Sequence, residues 1–153
     1  MAEAPTEVLF YHLERHALER VLPTLLERTL ERGWRAVVQV GTPERLEAID
    51  MHLWTYRDDS FLPHGTRKDG PADLQPVLLT TEEANENGAA IRFLVDGATL
   101  SQFSGYLRVV VIFDGADRPA VEAARGQWKA ARGEGCAVTY WQQTESGRWE
   151  KRA

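Results

Sequence analysis

Three observations predict an α/β domain of three layers, with helices on both faces of a mixed, mostly parallel sheet. Short runs rich in β-branched residues (VLFYHL, RAVVQV, RVVVIF, AVTYWQQ) alternate along the chain with longer amphipathic segments. Those longer segments carry their own helix start and stop residues. At 153 residues and 43% apolar composition, the chain has the size and make-up of one globular domain, read here as spanning 1–153.

The elements follow in order. VLFYHL (8–13) is a strand: a short apolar run with β-branched and aromatic residues. In ALERVLPTLLERTLERG, the residues Leu18, Val21, Leu22, Leu25, Leu26, Thr29 and Leu30 recur at three- and four-residue steps, which makes an amphipathic helix. Proline is tolerated near a helix start, so Pro23 predicts a helix that begins close to it or is kinked there. Gly33 ends this helix, and RAVVQV is a second, buried strand. Thr42 offers a capping oxygen and Pro43 a pre-set φ for the next helix, whose inner face is Leu46, Ile49 and Leu53 with Trp54 at its margin.

PVLLTT (76–81) and AAIRFLV (89–95) are strands, and the turn-forming connection EEANENG predicts a hairpin between them. RVVVIF (108–113) is expected at the centre of the sheet. DRPAVEAARGQWKAARGEG is a helix capped by Asp117 and ended by Gly133 or Gly135. AVTYWQQ is expected to be the final strand, with TESGRWEKRA a turn and tail. The resulting order β-α-β-α-β-β-β-α-β is that of a Rossmann-like fold.

Composition removes several function classes. No run approaches the ~20 apolar residues of a bilayer span, and MAEAPTEV has neither the basic nor the apolar region of a signal peptide. Cys136 is the single cysteine, so no internal disulfide forms and a multi-thiolate zinc cage is excluded; a reducing cytoplasm is the expected compartment. A net charge of −5 argues against non-specific duplex binding. The charge is uneven: residues 101–153 carry eight Lys/Arg and six acids (+2), whereas residues 1–100 carry ten and seventeen (−7). An acidic partner would approach the C-terminal third. Arg148, Lys151 and Arg152 read as a solvated tail rather than a DNA-binding element.

Catalytic patterns do not assemble. There is no GxxxxGK[ST], and the turn after the first strand, YHLERHAL, has no glycine. His12 and His16 have i, i+4 spacing but straddle a strand end and a helix start, so no metal site is expected. Asp58 and Asp59 near His64 read as a solvated loop. Cys136 lies at a strand entrance with no acid–histidine pair and reads as a buried, inert thiol. No cofactor is expected.

The third helix carries two stripes. Ala120, Ala123, Ala124, Gln127 and Ala131 form a small-residue side suited to close packing on a sheet. Beside it run Val121, Arg125, Trp128 and Arg132, with Lys129 at the outer edge. Two readings stand: Trp128 is a core residue among solvated cations, or it is an apolar patch collared by positive charge. The second suits an acidic peptide ending in a hydrophobic residue and a free carboxylate. A second unusual segment is LWTYRDDSFLPHG (53–65), which places Trp54 and Phe61 on a loop stiffened by Pro63 and followed by His64. It forms an interface anchor, or it folds back to plug the sheet edge.

The opening FYHL strand, LWTYRDDSFLPHG, and RGQWKAARGEG followed by an aromatic-bearing strand occur in the order seen in one family. Across essentially its whole length the chain resembles the chi subunit of bacterial DNA polymerase III, a clamp-loader accessory subunit. The resemblance implies a non-catalytic linker with two surfaces. One, mapped onto Arg125, Trp128 and Lys129 with Val121 and Arg132 alongside, would hold the acidic, Pro-Phe-terminated tail of the single-stranded DNA-binding protein. Val121 departs from a pattern that can carry a lysine there. The other, mapped onto Trp54, Phe61, Pro63 and His64, would bind the psi subunit or another clamp-loader or helicase protein. The alternative is a small nucleotide-binding or enzymatic α/β domain.

Overall fold

The computed structural model describes residues 5–14, 17–56 and 62–153. In chain order the elements are β1 (Glu7–Leu13), α1 (Leu18–Glu31), β2 (Ala36–Val40), α2 (Pro43–Thr55), β3 (Val77–Thr80), β4 (Ile91–Val95), β5 (Arg108–Asp114), α3 (Arg118–Gly133), β6 (Ala137–Gln143) and β7 (Trp149–Lys151). Two short 3₁₀ turns, Arg67–Asp69 and Ala72–Leu74, lead into β3. Among the described residues the strands form one seven-stranded sheet in the order β3-β2-β4-β5-β1-β6-β7, with β5 at its centre as expected. Every neighbouring pair is parallel except β6–β7.

Period-two alternation divides the core between the two faces of the sheet. On β5, Val110 and Ile112 join Leu22 and Leu26 of α1 and Ile49 and Leu53 of α2. Val109, Val111 and Phe113 turn the other way and pack with Val8, Phe10 and α3's Ala124 and Ala131. Leu22, Leu26, Ile49 and Leu53 are at most 2% exposed, and each such burial stabilises by about 2 kcal/mol. The helices therefore cover opposite faces, giving the three layers.

Local signals set most helix ends. Thr42 Oγ1 accepts the Arg45 N–H at 3.2 Å, and Pro43 opens α2. Asp117 occupies the N-cap of α3 without a side-chain capping bond. Helix α1 starts at Leu18, so Pro23 lies inside it rather than at its start. The Glu19 carbonyl thereby loses its intrahelical donor, and His52 Nε2 of α2 sits 2.5 Å from that oxygen.

Two expectations are corrected. β3 and β4 do not form a hairpin: both run parallel to β2, one on each side of it. The connecting segment 81–90 instead returns along the fold, held by two buried side chains. Arg92, fully buried, donates to Gln39 Oε1 (3.0 and 2.7 Å), the Tyr106 hydroxyl (2.9 Å), the Ala84 carbonyl (3.3 Å) and the Glu82 carbonyl. Asn87 Nδ2 donates to the carbonyls of Ala36 (3.0 Å) and Gln75 (2.9 Å). Turn residues report that the chain reverses, not which strand it returns beside. Nor is β6 the last strand. TESG turns the chain back, with Gly147 at φ 82°, and β7 adds antiparallel to β6.

Candidate functional site

Helix α3 lies close to the sheet because its inner stripe is small. Ala124, Gln127 and Ala131 are buried, and Gln127 Oε1 accepts the Leu100 N–H at 2.9 Å. The adjacent stripe is thereby held at the level of the outer strands. Val121 and Trp128 are half-buried, whereas Arg125, Lys129 and Arg132 are exposed.

The Trp128 ring rests on two aromatics of the sheet, with its centroid 5.3 Å from Phe10 (tilted) and 6.0 Å from Tyr140 (edge-on). Its uncovered part faces solvent on the helix that carries the three exposed cations. Among the described residues, no carboxylate forms an ion pair with Arg125, Lys129 or Arg132. Tyr140 is itself fixed, its hydroxyl 2.5 Å from His12 Nδ1. Burial, and then the Glu14 carboxylate, push its phenol above the usual range, while the Arg125 guanidinium pulls the other way. Tyr140 is therefore a neutral hydroxyl at physiological pH, in electrostatic reach of Arg125. The arrangement offers an aromatic shelf and unshared cationic donors, which suits an apolar group carrying a carboxylate.

Sequence reasoning found α3's stripe but missed its seat. The signal for Tyr140 was its place in the alternation of AVTYWQQ. Phe10 gave none, because a strand aromatic looks the same whether it supports a helix or fills a core.

The described part of the second aromatic segment has an exposed indole and a buried imidazole. The last turn of α2 leaves Trp54 47% exposed, near Met51 at 66%. His64 is buried, its Nδ1 2.7 Å from the Leu62 carbonyl and its Nε2 3.2 Å from the Asp50 carbonyl. Both ring nitrogens lie within hydrogen-bond distance of backbone carbonyls. The Asp50 carboxylate lies 3.0 Å from Nε2. Burial raises the Asp50 carboxyl above its ordinary range, and the neighbouring His64 opposes that rise. Trp54 stacks on the imidazole with centroids 4.4 Å apart. Pro63 is half-buried, and Phe61, Asp58 and Asp59 lie outside the described residues. Gly65 pairs with the edge of β3, donating to Val77 O (3.0 Å) and accepting from Leu79 N (2.9 Å). The loop thus covers the sheet edge while leaving an indole outside.

Elsewhere the chemistry is thin. A crevice of about 770 Å³ opens at the C-terminal ends of β1 and β5 and is lined by Glu14, Glu19, Asp96, Asp114 and Asp117. Among the described lining residues the one cation, Arg45, is engaged by Glu19 (2.5 Å) and Asp96 (3.1 Å). A phosphate would meet net negative charge from the described lining. Cys136 is half-buried, and burial and Glu134 push its thiol up, away from the reactive thiolate. Among the described residues no three His, Cys, Asp or Glu side chains converge as a metal site, and His16 lies outside them. No described helix is long and apolar enough to cross a membrane.

Comparison with known proteins agrees with this architecture. Residues 6–139 match the sequence model of the family described as DNA polymerase III chi subunit, HolC. The chain is also 26% identical over 111 residues to a Rickettsia prowazekii (strain Madrid E) protein named Probable DNA polymerase III subunit chi, covering 68% of this chain and 67% of the relative. A match that spans most of the fold, from β1 into β6, carries the assignment: the chain belongs to the DNA polymerase III chi subunit family.

Proposed function

We propose that this protein is a non-catalytic accessory subunit of the cytoplasmic polymerase III clamp-loader assembly, and that its α3 face binds the acidic C-terminal tail of the single-stranded DNA-binding protein. The observation that supports this reading most is the half-open Trp128 indole, seated on Phe10 and Tyr140, on a helix whose exposed Arg125, Lys129 and Arg132 have no carboxylate ion-pair partner among the described residues. A terminal phenylalanine side chain would lie against the indole, and its carboxylate would take the Arg125 guanidinium in a charge-assisted hydrogen bond. Binding of this kind falls with salt, because exposed charges are screened beyond about 8 Å at physiological ionic strength.

The second surface, Trp54 with Phe61 and Pro63, would dock the psi subunit or another clamp-loader or helicase protein. On this reading His64 acts from beneath by holding Trp54, not by touching the partner. Helix α2, which carries Trp54, and helix α3, which carries Trp128, cover opposite faces of the sheet, an arrangement that suits a linker.

Titration of a fluorescent peptide ending DDDIPF tests the proposal. Arg125→Ala, Trp128→Ala and removal of the terminal Phe should each weaken binding about tenfold or more, the range of a central aromatic or arginine contact. Unchanged affinity in all three would reject it. The alternative, a nucleotide-binding domain, is disfavoured by the acid-lined crevice and the glycine-free turn after β1. A rise in melting temperature with nucleotides would favour it instead.

A further inference from the structure

The outer edge of the sheet adds something that neither the helix stripe nor the family pattern contains. β7 pairs with β6 in the register Trp141↔Lys151, Gln142↔Glu150 and Gln143↔Trp149. Past β7 the pairing shifts by one residue: Arg152 N donates to Tyr140 O at 2.8 Å, whereas Tyr140 N donates to Ala153 O at 3.2 Å. Arg152 and Ala153 therefore both stand against Tyr140, as in a β-bulge.

Directly opposed residues of an antiparallel pair project from the same face of the sheet. Tyr140 is on the α3 face, in contact with Trp128. Trp149 is on the other face, its ring 4.7 Å from Tyr11. Alternation along β7 then sends Trp149 and Lys151 to the α1 face and Glu150 to the α3 face. Arg152, bonded to Tyr140 through its N–H and ion-paired with Glu150, follows Glu150 to the α3 face. Arg152 accordingly projects beside the indole shelf, across Tyr140 from α3. The cations read as a terminal tail are thus sorted by the sheet, and one of them joins the site.

We infer that Arg152 forms the far rim of this site and takes the acidic residues that precede the terminus of a bound peptide, an inference that rests on the tail-binding reading above. The neighbouring strand spacing and the side-chain reach together amount to roughly 10 Å from the indole, or about three extended residues. A peptide whose apolar end lies on Trp128 would cross Tyr140 and bring its third or fourth residue from the end to Arg152. The guanidinium is available for this. Its ion pair, with Glu150 Oε1 at 3.6 Å, is long, and both side chains are 52% exposed. A solvated pair of that kind is exchanged for a peptide carboxylate at little cost.

Two peptides separate this inference from the reading beneath it: one ending DDDIPF, and an N-acetylated IPF with no upstream acid. Arg125→Ala should weaken both. Arg152→Ala should weaken the acidic peptide about threefold at low salt, leave the acid-free peptide unchanged and flatten the salt dependence of the first; Arg152→Glu should weaken the acidic peptide about tenfold. Should Arg152→Ala leave the acidic peptide untouched, or weaken both peptides equally, Arg152 has no such role, although Arg125 could still hold the terminus. Failure of the unmodified protein to bind either peptide would overturn both the inference and the tail-binding reading.

Discussion

His52 Nε2 lies 2.5 Å from the Glu19 carbonyl oxygen, the acceptor that Pro23 leaves without a helical N–H. A proline inside a helix costs about 3 kcal/mol, partly through that lost bond. Here the neighbouring helix supplies a replacement donor, so the α1–α2 contact includes a hydrogen bond created by a local defect. His52→Leu should therefore destabilise the fold by about 1–2 kcal/mol in urea titrations. The loss should shrink in a Pro23→Ala background, where the restored N–H can reach the same carbonyl. Equal losses in the two backgrounds would show that the bond does not compensate the proline.

Arg92 organises the return from β3 to β4, since its buried guanidinium serves Gln39, Tyr106 and two carbonyls of the connecting segment. Burial pushes its proton affinity down, while Tyr106 and the Glu83 carboxylate pull the other way. Arg92→Ala should cost about 3 kcal/mol or more, because it orphans several buried acceptors at once. Tyr106→Phe, which removes one acceptor, should cost about 1 kcal/mol. Amides of residues 81–90 should lose hydrogen-exchange protection in the first variant and keep most of it in the second.

The acid limb of stability should depend on Glu19. Its hydrogen bond with Arg45 holds the carboxyl below the ordinary glutamate range, against a smaller opposing effect of burial. Between the ordinary value and the lower folded one, the unfolded chain binds more protons, so stability falls as pH drops through this window. Above about pH 5 the contribution is complete. Glu19→Gln should flatten the fall of melting temperature between pH 5 and 3; an unchanged slope would exclude Glu19 as a source.

Close approach of two backbones at Gly41 sets a further test. A Cβ there would lie 2.0 Å from the Asp96 carbonyl oxygen, so the ends of β2 and β4 would have to separate. Gly41→Ala should lower stability by about 2 kcal/mol. Gly126→Ala, on the open side of α3 with nothing within 4 Å, should raise it by about 0.5–1 kcal/mol through helix propensity. Thermal melts of the two variants should move in opposite directions.

The two candidate surfaces should also be separable. Trp54 belongs to the α2 side and Trp128 to the α3 side of the sheet. Trp54→Ala should leave acidic-peptide affinity within about twofold, and its stability effect should add to that of Trp128→Ala within about 0.5 kcal/mol. A large coupling between them would show that the sheet transmits strain between its faces.

What the sequence by itself determined is local. Strand runs, the 3.6-residue stripe of α1, the Thr42–Pro43 helix start and the two faces of α3 all follow from periodicities and caps within a dozen residues. Those features also carried Arg125, Trp128 and Lys129 as a group. The tertiary structure decided everything that depends on which strand lies beside which. It placed β2 between β3 and β4, so a segment of turn residues did not make a hairpin. It buried His64 under Trp54, where the loop sequence showed only two neighbouring rings. It set Arg152 against Tyr140, because a three-residue strand too short for any pattern of its own takes its register from β6. Local signals are written in one stretch of chain; pairing is settled by the competition of distant segments for the same hydrogen bonds and the same buried area.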